Sequence, residues 1–170
     1  MAVLDSSVFR DISYGLYLVT SKNKDEINGQ IVNTVIQVTS DPPRVAVIIN
    51  KKNLTHDFIM SSKVYAVMIL DEKVTMQFLG PFGFRTGRDI NKFEKIDYKI
   101  GHTGSPIVTE NTLSMIEAQV IEYIDLGTHT IFIGDVVGSE VLKAGNPLTY
   151  KYYHEYLKGK TPPNAPSYAK

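Results

Sequence analysis

Short apolar runs alternate with polar islands along this chain, and the runs carry strand chemistry. Tyr14 to Thr20 is aromatic and β-branched and ends in polar residues from Ser21 to Glu26. Ile27 to Ser40 and Arg44 to Asn50 are rich in Val and Ile, and Asp41-Pro42-Pro43 turns the chain between them. Lys63 to Leu70 predicts a further strand. Asn53 to Ser62 places Leu54, Phe58 and Ile59 at helical spacing with Asn53 as cap. Val74 to Gly80 predicts a short helix ended by Gly80-Pro81. From Leu113 to Ile124 the near-alternation of Ser114, Ile116, Ala118, Val120, Glu122 and Ile124 predicts a strand buried mainly on one side. His129 to Val141 reads as a last strand, bulged or bent at Gly134. Many strands with few short helices predict a mainly β protein, a closed or partly closed barrel with helical insertions. Long helices do not alternate with the strands, which argues against a parallel α/β sheet. Lys158 to Lys170 carries three prolines and little to bury, so it reads as an extended tail lying on a surface.

Composition narrows the chemistry. The 170 residues suffice for one domain with a substantial core. Formal net charge is zero, which gives no bulk attraction to nucleic acid or an anionic membrane. Cysteine is absent, which excludes disulfides, thiolate-bound clusters and dithiol redox chemistry. Any redox role therefore needs a borrowed cofactor. The four histidines show no ligand spacing, so no metal site is expected. Without an apolar run of about 20 residues or a secretory signal, a cytoplasmic protein is the default expectation.

Three polar islands interrupt the apolar runs: Asn28 to Ser40, Asn50 to His56, and Arg85 to Phe93. Their Asn, Thr, Lys and Arg beside Gly suit a planar, phosphorylated, hydrogen-bonding ligand, for which flavin mononucleotide (FMN) is the natural candidate. Asn33, Val35, Gln37 and Thr39 would share one strand face and offer amides and hydroxyls to a ring edge. Lys51 and Thr55 would sit near the positive end of the helix opened by Asn53, where a phosphate is favoured. Phe82 to Asp89 reads as a glycine-bounded loop in which Arg85 or Arg88 supplies charge. Each of these also has a plain reading as a solvated strand face, a helix cap or a surface loop. No Walker loop and no Gly-x-Gly-x-x-Gly is present. The Tyr150, Tyr152, Tyr153 and Tyr156 cluster reads as packing or a dimer contact, and His129 stands at the mouth of a strand.

In this order, these strings resemble the flavin reductase-like, FMN-binding split-barrel family, in the branch of flavoredoxin, ferric reductase and the flavin domain of high-molecular-weight rubredoxin. The matching strings are Asn28 to Asn33, Gln37 to Pro43, Asn50-Lys51 with Thr55-His56, Phe82 to Asp89 with Lys92-Phe93, Gly127 to Gly134, and Pro147 through Pro166. The resemblance implies a Greek-key split barrel over residues 1–157 with an extended tail over 158–170, and a homodimer with FMN near its interface. It implies that Asn33, Thr34, Val35, Ile36, Gln37 and Thr39 border the isoalloxazine. Asn50, Lys51, Thr55, Arg85, Thr86, Gly87, Lys92 and Phe93 would serve the ribityl and phosphate. His129 would lie on the exposed flavin face, where nicotinamide stacks. Thr86 stands where serine is more usual in the family, which preserves the hydroxyl.

The activity expected from the resemblance is hydride transfer from NAD(P)H to bound FMN. Electrons would then pass to free flavin, ferric iron, a rubredoxin-like carrier or oxygen. A rival expectation is a non-enzymatic FMN electron carrier reduced by a partner protein. A third is a binding module without redox chemistry.

Overall fold

The computed structural model describes residues 4–168. Among the described residues nine strands form in chain order: β1 (Tyr17–Asn23), β2 (Glu26–Val32), β3 (Val35–Ser40), β4 (Pro43–Asn50), β5 (Val64–Leu70), β6 (Lys99–Ile100), β7 (Pro106–Ile107), β8 (Thr112–Asp125) and β9 (His129–Val141). Three α-helices intervene: α1 (Leu54–Ser62), α2 (Met76–Phe84) and α3 (Tyr150–Glu155). Seven strands make one antiparallel sheet in the order β2-β1-β5-β8-β9-β4-β3. Sequential hairpins joined by non-sequential neighbours give it a Greek-key pattern.

The sheet has to roll up. Its two outermost strands, β2 and β3, are consecutive in the chain and joined only by Asn33 and Thr34. Laid flat, seven strands would separate the outer pair by about 29 Å, whereas the link spans at most about 11 Å. Closure into a barrel follows from that mismatch. The link is pinned to β4, where Ile48 N–H donates to the Thr34 carbonyl at 3.1 Å and the Thr34 hydroxyl donates to the Ile48 carbonyl at 3.2 Å.

Period-two alternation then sorts side chains to two cores. Val19, Val45, Val47, Ile49, Tyr65, Val67 and Phe132 pack inside the barrel with Ile59 of α1. Leu18, Ala66, Met68 and Met115 face the other way, onto Phe78, Leu79 and Phe82 of α2. The central strands β1 and β5 are thus covered on both faces. Gly134 of β9 reflects close approach: a methyl there would stand 2.9 Å from both the Ala118 Cβ and the Tyr65 hydroxyl, which donates to the Val45 carbonyl.

Several sequence expectations need revision. The run from Ile27 to Ser40 is two strands, because the chain bends at Asn33-Thr34. The polar stretch after Thr20 is a hairpin, with β1 continuing to Asn23 and β2 starting at Glu26. α2 does not stop at Gly80-Pro81 but runs on to Phe84, capped by Thr75 and held by the burial of Phe78, Leu79 and Phe82. β8 is not buried on one side throughout. Its first half is covered on both faces, register shifts follow at Glu117/Ala118 and Val120/Glu122, and residues 121–125 are exposed. Gly134 is not itself a bulge; the register shift beside it lies in β8.

Candidate functional site

A cavity of about 620 Å³ opens between β2, the start of α1, the end of α2 with its following loop, α3 and the segment after α3. That volume lies in the range of small-molecule and cofactor pockets. Its walls combine an apolar body, including Leu16, Ile31, Leu79 and Phe82, with polar groups gathered at two ends.

The first end is cationic. Asn28 on β2 donates from Nδ2 to the Thr55 hydroxyl at 2.9 Å, tying the strand to the first turn of α1. Its neighbour Gly29 accepts at 2.9 Å from the Lys92 ammonium, which also reaches the Phe82 carbonyl at 3.4 Å. Lys92 is buried, and burial pushes its pKa down to about 8. Among the described residues it forms no ion pair. Asn53 occupies the cap position of α1 without a side-chain cap hydrogen bond, and Asn53, Leu54 and Thr55 line the cavity, so the start of the helix meets it with no carboxamide oxygen of Asn53 upon its N–H groups. Gly87 closes the same corner. A side chain there would overlap the Asn28 carboxamide and come within 3.0 Å of Leu54. An uncapped helix start, a lone buried cation and exposed Arg85 form a site for an anion such as a phosphate.

The second end is made of amides. Gln30 and Asn33 each keep a buried carboxamide oxygen with no hydrogen-bond partner. Both line the cavity, and a buried acceptor left unpaired is costly unless a ligand donor satisfies it. Asn28 and Asn33 are separated by about 17 Å of extended chain. The walls therefore suit an elongated molecule with an anionic end, an apolar middle and a hydrogen-bonding end, and FMN has that shape and chemistry.

The expected site residues divide. Asn33, Asn50, Thr55, Arg85, Thr86, Gly87 and Lys92 come together on the cavity wall. Thr34 stands beside it, its hydroxyl used on β4. Val35 packs against the barrel core, Ile36 and Gln37 are exposed, and the Thr39 hydroxyl bonds the Pro42 carbonyl. Asn33 does not share a strand face with Gln37 and Thr39, because it sits at the bend and the register shifts again between Gln37 and Thr39. Lys51 lies away from the cavity wall, since pairing of Asn50 with His129 sets Lys51 opposite the β8–β9 turn, where its ammonium meets the Asp125 carboxylate at 2.6 Å. Arg88 is likewise engaged with Asp57 at 2.7 Å. Phe93 supports the wall from behind, edge-on to Phe82 at 5.4 Å between ring centroids. His129 stands just outside: Thr128's hydroxyl meets its Nδ1 at 2.9 Å, and its Nε2 donates to the Asn164 carbonyl at 3.2 Å.

Sequence reasoning missed Gln30, Tyr150, Tyr153 and the segment from Lys160 to Pro166 as wall elements. Gln30 carried a signal, since with Asn28 it places two amides on one face of β2. The tyrosines carried none that separates wall from packing.

Comparison with known proteins identifies the family. The chain is 46% identical over 165 residues to the ferric-chelate reductase (NAD(P)H) of Archaeoglobus fulgidus, covering 97% of this chain and 98% of that protein. It is 44% identical over 165 residues to the high molecular weight rubredoxin of Moorella thermoacetica, covering 97% of this chain and 72% of that protein. The flavin reductase HpaC, solved complexed with NADP+, superimposes with a TM-score of 0.74 at 28% identity, covering 85% of this chain and 89% of that one. The family model for the flavin reductase like domain matches residues 9–157, and the chain belongs to that family.

Proposed function

We propose that this protein is an NAD(P)H:flavin oxidoreductase that holds FMN in the cavity between β2, α1 and α2. The observation that carries the reading is the pairing of a buried, unpaired Lys92 at one end with the orphaned carboxamide oxygens of Gln30 and Asn33 at the other. Family membership and the reductase relatives support it.

When bound, FMN supplies the hydride-accepting and electron-donating chemistry. The chain's own residues bind and orient it. Lys92, Arg85, the Thr86 hydroxyl and the first turn of α1 hold the phosphate, with Thr55 anchoring Asn28 behind them. Asn33 and Gln30 fix the hydrogen-bonding edge of the ring, and Asn50 orders the adjoining turn by accepting from Lys52 N–H at 2.9 Å. Leu16, Ile31 and Phe82 exclude water from the flavin body. His129 would receive the nicotinamide at the mouth.

The electron acceptor is proposed from the relatives' chemistry: a ferric chelate or a rubredoxin-like carrier, with free flavin and oxygen as further sinks. A homodimer is supported by apolar surface on β8 and β3, where Ile121, Tyr123, Ile124, Ile36 and Val38 are all exposed. Among the described residues no helix is long and apolar enough to cross a membrane.

The test is an absorption spectrum of the purified protein after incubation with FMN, followed by anaerobic mixing with NADH or NADPH. Bleaching of bound flavin at catalytic speed is the expected result. Binding without bleaching would leave a flavin carrier reduced by a partner protein, a reading favoured by the rubredoxin relative. A chain that takes up no flavin ends the proposal.

A further inference from the structure

The segment after α3 does more than cover surface. From Lys160 to Pro166 every residue contributes to the cavity wall, yet the segment belongs to no helix or strand. It is fastened at its start, middle and end. At the start, the Tyr153 hydroxyl donates to the Lys160 carbonyl and His154 Nδ1 to the Gly159 carbonyl, both at 2.9 Å. In the middle, the Asn164 carbonyl accepts from Asn50 Nδ2 and His129 Nε2, both at 3.2 Å. Near the end, the Ser167 hydroxyl accepts from Asn33 Nδ2 at 2.6 Å and donates to the Tyr150 hydroxyl at 3.3 Å, while Tyr150 also bonds the Thr161 hydroxyl.

These partners stand on α3, β4, β9 and the β2–β3 link, so the segment crosses the cavity from α3 to the strands opposite. The expected extended tail instead folds through two turns, closed by Ala165 N–H to the Pro162 carbonyl at 3.0 Å and Tyr168 N–H to the Ala165 carbonyl at 3.1 Å, and its three prolines reduce the entropy lost in holding it there. Its fastenings are single hydrogen bonds with little buried apolar area behind them. A segment of that kind opens at a free energy well below that of global unfolding.

We infer that residues 159–168 form a strap that retains the flavin, making it a resident group and not a substrate that enters and leaves with each turnover. The inference rests on the FMN reading above. A ligand seated behind the strap leaves only after the fastenings at Asn33, Asn50 and Tyr150 break. All three of those residues line the flavin site themselves, so seating the ligand and fastening the strap order the same side chains. Ligand and strap should therefore stabilise one another.

The experiment measures FMN release. Full-length protein is loaded with FMN, freed of excess by gel filtration, and diluted while recovery of free-flavin fluorescence is followed. A chain ending at Lys158 and a full-length Thr161→Val/Ser167→Ala variant are treated alike. The shortened chain should bind FMN but release it at least about ten-fold faster, and the double variant about three- to ten-fold faster, as loss of one or two net hydrogen bonds predicts. Trypsin cleavage at Lys158 and Lys160 of the full-length chain should slow when FMN is present. Normal uptake with equal release rates in all three proteins overturns the strap's role and leaves the cofactor reading intact. Absence of uptake by the full-length chain overturns both. Where the shortened chain fails to fold, the double variant and the protease result decide.

Discussion

Lys92 donates its ammonium to the Gly29 carbonyl at 2.9 Å within the cavity wall, and burial holds its pKa down at about 8. A cation kept there without a carboxylate costs stability in the empty protein. Its unfolded-state pKa lies near 10.5, so the unfolded chain binds more protons between about pH 8 and 10.5. Stability of the ligand-free protein should therefore rise with pH across that window.

Replacement of Lys92 by Met should remove that rise. Below pH 8 the empty variant should be more stable than the wild type by up to about 3 kcal/mol, the full value of the depressed pKa. The same variant should bind FMN at least about ten-fold more weakly, because a charge-assisted contact to the phosphate is gone. Urea unfolding of both proteins at several pH values, with an FMN titration, checks both outcomes. Equal FMN affinity would remove Lys92 from the phosphate site.

Asn33→Ala and Gln30→Ala address the other end of the cavity. Each takes away an acceptor that has no protein partner, so the empty fold should lose little beyond the Asn33–Ser167 hydrogen bond. FMN affinity should fall about five- to twenty-fold, one hydrogen bond's net worth or somewhat more. Quenching of flavin fluorescence measures it. Asn33→Ala also releases Ser167, so its effect on the release rate should exceed that of Gln30→Ala.

His129→Ala should separate nicotinamide use from flavin binding. The imidazole stands outside the cavity wall, so the FMN dissociation constant should change by less than about three-fold. The kcat/KM for NAD(P)H should drop by about ten-fold or more. Unchanged reductase kinetics would remove the ring from the account.

Glu117 makes a prediction about the fold alone. Burial opposes its ionisation, but hydrogen bonds from the Thr103 N–H and hydroxyl and from the His102 N–H prevail and hold its pKa below the ordinary value. The stability it contributes is present above its unfolded pKa and is lost as pH falls through the lowered folded value. Glu117→Gln should cost about 1–3 kcal/mol at neutral pH and flatten the acid limb of the stability curve. Thermal melts from pH 7 down to pH 3 check it.

The chain's strands were legible where β-branched runs meet turn residues, as at Arg44 to Asn50 and Lys63 to Leu70. The break between β2 and β3 was hidden because Asn33-Thr34 contains neither Gly nor Pro. Only tertiary closure of the barrel demands a bend there. α2 outran its Gly-Pro signal because three apolar side chains gain more by burial than the helix loses at Pro81. At the site, the structure brings Asn33, Asn50, Thr55, Arg85 and Lys92 from the polar islands onto one cavity wall. Lys51 could not be told from them, since its ion pair depends on Asp125, far away in sequence. The role of the last segment was invisible for a similar reason: its prolines announce extension, and only the fold shows what lies beneath.

Walls drawn from Leu16 at one extreme and Pro166 at the other make the cavity a late product of biosynthesis. While the ribosome still shelters residues 160–166, the nascent barrel can collapse but offers its prosthetic group an unfinished berth. A chain halted before the strap can still take on colour but holds it less firmly, so lasting yellow in an expressing cell reports chains read through the strap.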